Sequence, residues 1–149
     1  MGNAPVYSSQ ICVILYVTQL IRKQRFMDDR RAIVRGTVVK GDGVASRDYN
    51  LPTANLDVKE PGIDTGVYAA HVRYKDQPYK AIVCYGVGNP AKFEVHLFDF
   101  DGDLTGEELT VGLIDKVSEL IPWQSKERMR QKILHDIQLV REYLDKLPE

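Results

Sequence analysis

The chain has 149 residues, and 20 Lys and Arg stand against 21 Asp and Glu for a formal net charge of −1. That length predicts one domain with a real hydrophobic core, and the near-neutral balance lacks the basic footprint of a duplex-nucleic-acid binder. Two cysteines, Cys12 and Cys84, form no CxxC pair and adjoin no histidine cluster, which argues against a zinc site or a disulfide scaffold and fits a reducing cytoplasm.

Residues 1–30 read as a lead-in segment. Its apolar run, Ile11 to Val17, is too short to span a bilayer. No basic residue precedes the run and no small-residue cleavage site follows it, and Val6 stands where a myristoylation signal needs Ser or Thr. The expectation is a soluble, cytoplasmic chain with no membrane partner. Ser8 or Ser9 could cap a helix through "QICVILYVTQLIRKQRFM", although the β-branched Ile11, Val13, Ile14 and Val17 favour a strand locally. We expect a helix there, with "DDRR" (Asp28–Arg31) as a solvated connector into a main domain over residues 31–149.

From Ala32 the texture becomes β. "AIVRGTVVK" is β-branched, with Gly36 marking a bulge or a close backbone approach. "GVYAAHVRY", "YKAIVCYG", "FEVHLF" and "EELTVGLI" follow, separated by turn-rich pieces such as "YKDQPY" and "DFDGDLTG". Short strands at this spacing, without helices between them, predict a closed antiparallel barrel. Met129, Ile133, Ile137, Val140, Leu144 and Leu147 then recur at three or four residues, the stripe of an amphipathic helix that covers the barrel or plugs one end. Ser125 is its candidate N-cap, and Pro148 lies beyond its last turn.

Three stretches could carry chemistry. In "VVKGDGVASRDYNLPTANL", Gly41 and Gly43 free the backbone where a strand ends, so amide groups could turn toward a phosphate. No GK[ST] follows and no helix is expected after it, so it is not a Walker loop. In "LPTANL", Pro52 stiffens the chain, and Thr53 and Asn55, two apart, point the same way if extended. Two neutral oxygens side by side could hold magnesium or a phosphate, or could simply close an Asx- or Thr-type turn. In "FEVHLF", alternation puts Phe93, Val95 and Leu97 on one face and Glu94, His96 and Phe98 on the other. With the first set in the core, Glu94 and His96 face outward or line a cleft. The acids of "DFDGDLTGEE" fail an EF-hand test: counting from Asp99, the sixth and twelfth positions hold Leu104 and Thr110 instead of Gly and Glu.

Taken together and in order, "GTVVKGDG", "LPTANL", "GVYAAHV", "YGVGNP", "FEVHLFDFDGDLTGEELTV" and the final helix resemble the riboflavin kinase (flavokinase) family. That family includes the C-terminal module of bacterial bifunctional FAD synthetases and the stand-alone eukaryotic enzymes. The resemblance runs from about Ile33 to Leu144. It implies a Greek-key barrel that moves the ATP γ-phosphate to the ribityl 5′-hydroxyl of riboflavin, giving FMN and ADP, and a separate FAD-forming adenylyltransferase as a partner. Carried over by position, Thr53 and Asn55 would hold Mg²⁺ and the ATP phosphates. The loop of Gly41 and Gly43 would lie along those phosphates, Arg47 would stand where the family often has a basic residue, and Glu94 would be the general base on the attacking hydroxyl. Trp123 sits near a family aromatic position; contact with the isoalloxazine ring and a core or helix-docking role both stay open.

The chain also departs from the family pattern. Asn50 replaces a glycine, Thr105 replaces an aromatic, Ser118 replaces an arginine, and only Ala91 and Lys92 separate "NP" from "FEVHLF". A degenerate member that binds flavin or nucleotide without turnover is therefore the alternative function. An OB-like barrel for single-stranded nucleic acid would need a basic groove with stacking aromatics, so no nucleic-acid partner is expected.

Overall fold

A computed structural model describes residues 13, 14, 16–18 and 32–148. The described positions within 13–18 are helical, but the rest of the expected lead-in helix, Cys12 and the Asp28–Arg31 connector lie outside the described residues. The order is β1 (Ile33–Val39), α1 (Val44–Tyr49), β2 (Ala54–Leu56), β3 (Gly66–Tyr74), β4 (Gln77–Val87), β5 (Lys92–Leu97), β6 (Glu108–Ser118) and α2 (Lys126–Asp145). The strands close into an antiparallel barrel in the spatial order β1-β2-β5-β4-β3-β6. β3, β4 and β5 follow one another as neighbours, while β2 lies beside β5 and β6 beside β3, so two Greek keys share the same three central strands.

The barrel interior follows from period-two alternation. Phe93, Val95 and Leu97 of β5 face inward with Val34, Val38, Leu56, Val72, Val83, Leu109 and Val111. Phe93 is 1% exposed, and truncating such a core aromatic costs about 3–5 kcal/mol. Gly36 pairs directly with Leu109, and a Cβ on it would lie 3.0 Å from Val58 Cγ2, so it marks a close approach and not a bulge.

The helix α2 does not plug an end. It covers the outer face of the sheet, where Val140 and Leu144 pack on Val67, Ala69, Ile82 and Phe98. Ser125 is its N-cap as expected, Oγ accepting from the Arg128 amide at 3.1 Å. The cover changes the reading of Phe98. It shares the outer face with His96, yet it is only 3% exposed and lies under the Arg141 guanidinium, 4.1 Å from the ring centroid. Alternation chose the face correctly, but α2 makes its far end a second core.

Two elements differ from expectation. "ANL" is a three-residue strand pairing with both β1 and β5, begun two residues after Pro52, whose missing amide donor would interrupt a ladder. A short helix, α1, does follow the glycine loop. Gly43 precedes it at φ 70°, Asp42 Oδ1 accepts the Val44 amide at 3.1 Å, and Asn50 ends it at φ 52°. Asparagine tolerates that left-handed conformation, so Asn50 can end the helix there without a glycine.

Candidate active site

The end of β1, the start of β2, the end of β5 and the loop from Phe100 to Thr105 frame a barrel mouth of about 460 Å³, within the range of small-molecule sites. Gly41, Gly43, Thr53, Asn55, His96 and Lys40 line it. The structure therefore brings together five residues that the sequence singled out, Gly41, Gly43, Thr53, Asn55 and His96. Glu94 lies beside them: it pairs across the β2–β5 ladder with Asn55.

Gly41 explains why that position lacks a side chain. A Cβ there would lie 2.1 Å from Asn55 Nδ2 and 3.5 Å from Oδ1. The loop thus packs on the Asn55 amide, with its nitrogen nearer than its oxygen. Its φ lies outside the left-handed region, so the constraint is contact with Asn55 and not backbone strain.

Register extends the site sideways. Val39, Asn55, Glu94, Cys84, Val67 and Ser118 are successive partners across five ladders, so their side chains share one outer face. The row ends under α2, where Lys132 Nζ lies 2.6 Å from both Ser118 Oγ and Asp136 Oδ2. Ser118, an arginine in the family pattern, is thus the acceptor for a lysine of α2.

Burial sets the electrostatics. It raises the Glu94 carboxyl above its ordinary pKa, an effect opposed by the Lys92 ammonium and reinforced by Asp42. Burial also pushes the Cys84 thiol up to about 12, with the Glu94 and Asp136 charges adding to it, so Cys84 stays protonated and is no nucleophile. His96 is held below its usual pKa, chiefly by burial. Its Nδ1 donates to the Pro52 carbonyl at 2.6 Å, tying β5 to the turn that carries Thr53.

Two expected residues are not brought to the mouth. Arg47 lies on α1 with its side chain 68% exposed, paired with the adjacent Asp48 at 3.1 Å. Trp123, in the linker before α2, is 73% exposed, which overturns the core and helix-docking reading. Sequence reasoning also missed Lys92 and the His96–Pro52 bond. The signal for Lys92 was its place two residues before Glu94 on the same strand face; nothing local predicted a bond between residues 44 positions apart.

A metal here could not rest on a carboxylate cage: among the described residues there is no group of three or more His, Cys, Asp or Glu that could hold an ion. The hydroxyl of Thr53 and the amide oxygen of Asn55 are hard, neutral donors. They fit an Mg²⁺ that arrives already bridged by phosphate oxygens.

A family model described as riboflavin kinase matches residues 29–144. The chain is 34% identical over 114 residues to the RNA-binding riboflavin kinase RibR of Bacillus subtilis, covering 72% of this chain and 49% of that protein. It is 33% identical over 115 residues to the bifunctional riboflavin kinase/FMN adenylyltransferase of Pseudomonas fluorescens, covering 72% of this chain and 37% of the relative. It thus spans about half, or less, of the length of these relatives. Among solved structures, a macrolide-efflux protein from Streptococcus pneumoniae matches with a TM-score of 0.64 at 30% identity, over 73% of this chain and 38% of that one. A riboflavin kinase from Trypanosoma brucei shares the fold, with a TM-score of 0.52 at 18% identity over 76% of this chain and 80% of that one. With the family model matching most of its length, the chain belongs to the riboflavin kinase family.

Proposed function

We propose that this chain transfers the γ-phosphate of Mg-ATP to the ribityl 5′-hydroxyl of riboflavin, releasing FMN and ADP. The observation that carries the reading is the Asn55–Glu94 pair beside Gly41: a donor-binding amide and a candidate base leave one sheet face as cross-strand partners. In this reading the loop of Gly41 and Gly43 borders the nucleotide phosphates, and Thr53 and Asn55 supply the protein's oxygens to the metal. Mg²⁺, when bound with ATP, neutralises charge on the phosphate oxygens. Glu94 accepts the proton of the attacking hydroxyl through its carboxylate. Phosphoryl transfer depends mainly on alignment and charge neutralisation, so the base assists.

The acceptor would approach along the row beyond Glu94, past Cys84 and toward the linker that carries Trp123. Cys84, as a neutral thiol, offers that approach an uncharged floor. No helix among the described residues is long and apolar enough to cross a membrane.

Binding without turnover is the competing reading, favoured by Arg47, which turns to solvent. One experiment separates the two: purified protein incubated with riboflavin, ATP and Mg²⁺, then chromatographed for FMN. FMN formation supports the kinase; flavin binding with no FMN supports the binder.

A further inference from the structure

Lys92 opens β5 two residues before Glu94, so the two side chains leave the same face of the strand. Its ammonium pairs with the carboxylate of Asp42. Asp42 lies between Gly41 and Gly43 in the loop that borders the mouth. The Lys92 stem passes Gly88, where an added Cβ would lie 3.5 Å from Cε and 3.7 Å from Cγ. The stem thus runs in ordinary contact range of the glycine turn on its way to the loop. The Lys92 side chain is about one-third exposed and Asp42 about half, so both are open to an incoming anion. Asp42 also accepts the Val44 amide through its other oxygen. It can therefore give up the ammonium and keep a partner.

We propose that Lys92 binds the phosphates of the nucleotide, and that Asp42 is the internal anion which holds this cation until Mg-ATP displaces it. The inference rests on the kinase reading of the mouth. A lysine suits the role, since its ammonium is a point charge on a flexible four-carbon stem that can change partners without moving the strand. Polyphosphate oxygens offer more negative charge than one carboxylate, so the exchange favours the ligand. Lys92 thereby supplies at the loop the cation that Arg47, turned to solvent on α1, does not.

Simple loop clasping and anion exchange predict different signs. If the ion pair only fastens the loop, Lys92→Met and Asp42→Asn break the same bond and weaken Mg-ATP binding alike. Under exchange, Lys92→Met raises the Kd for Mg-ATP about tenfold, the worth of one charge-assisted hydrogen bond, while Asp42→Asn removes the competitor and lowers it. Lys92→Arg keeps the charge and stays near wild type. The measurement is calorimetric titration of the full chain with Mg-ATP, without riboflavin, beside thermal melts of each variant. Opposite signs for the two variants support the proposal. Equal signs, or an unchanged Lys92→Met, overturn it and leave the kinase reading standing. If Lys92→Met does not fold, Asp42→Asn decides alone, tighter binding supporting the exchange and equal or weaker binding overturning it. A wild type that binds no Mg-ATP overturns both the proposal and the kinase reading.

Discussion

Asn55 and Glu94 stand opposite each other on neighbouring antiparallel strands, a relationship that fixes their Cα atoms about 4.5–5.5 Å apart. Neither side chain depends on a loop for its position. The glycine loop packs on Asn55 from one side, and Cys84 flanks Glu94 on the other. The residues proposed to hold the metal and to accept the proton are thus adjacent by strand register, which moves less than a flexible catalytic loop.

Glu94→Gln keeps the shape and removes the proton acceptor. Turnover should fall by roughly a hundred- to ten-thousand-fold, with flavin affinity nearly unchanged. Because burial raises the carboxyl's pKa and the base acts ionised, kcat/KM should fall on the acid side at a pH above the ordinary glutamate range. The stability sign follows from the same shift. A raised folded-state pKa contributes stability below the unfolded value and loses it as pH rises through the folded value. Glu94→Gln should therefore melt higher than wild type at pH 7, and the gap should close near pH 4. Initial rates of FMN formation and paired melts test both; full activity in the variant removes Glu94 from the mechanism.

Gly41→Ala places a methyl 2.1 Å from Asn55 Nδ2, nearer than any real contact. Asn55 must swing away, and Mg-ATP binding should weaken about tenfold or more while the melting point changes little. In an Asn55→Ala background the same change should cost almost nothing, because contacting residues are non-additive. Titrations of the two single variants and the double variant decide the matter. Equal losses in both backgrounds would show that Gly41 acts independently of Asn55.

Asp136 is 4% exposed and pairs with Lys132 at 2.6 Å, while its Oδ1 is buried without a hydrogen-bond partner among the described residues. Lys132→Met leaves that carboxylate unpaired and should cost roughly 3 kcal/mol at neutral pH. Replacing both residues with apolar ones should recover most of this loss, since no buried charge remains. Denaturant unfolding of the wild type and both variants at pH 7 measures each step.

The barrel was legible in the sequence because its strands obey strict alternation: Phe93, Val95 and Leu97 went inward as the pattern requires. The three-residue β2 was not, since "ANL" is too short to show a period and the preceding proline reads as a turn. The helix α1 escaped because "VASRDY" has no apolar stripe and buries no residue; Gly43 and Asn50, both left-handed, mark its ends. Of the site, the motif residues Gly41, Thr53, Asn55 and Glu94 could be named from sequence, as their resemblance is local. Lys92 against Asp42 could not, because 50 residues separate two ordinary charges and only barrel closure brings them together.

Trp123 is the single tryptophan of the chain, and it is 73% exposed in the linker joining β6 to α2. A large indole left in water contributes little to folding, so Trp123→Ala should leave the melting point within about 1 °C of wild type. Its worth should appear on binding. If the flavin extends from Glu94 toward this linker, the indole gains an aromatic neighbour, which is worth about 1 kcal/mol. Trp123→Ala should then weaken riboflavin binding roughly fivefold and leave Mg-ATP binding unchanged. Titration of the wild type with riboflavin should also quench the indole emission, which no other tryptophan obscures. Full flavin affinity in the variant, together with unquenched emission in the wild type, would place the acceptor elsewhere on the barrel and limit the site to the mouth and Glu94.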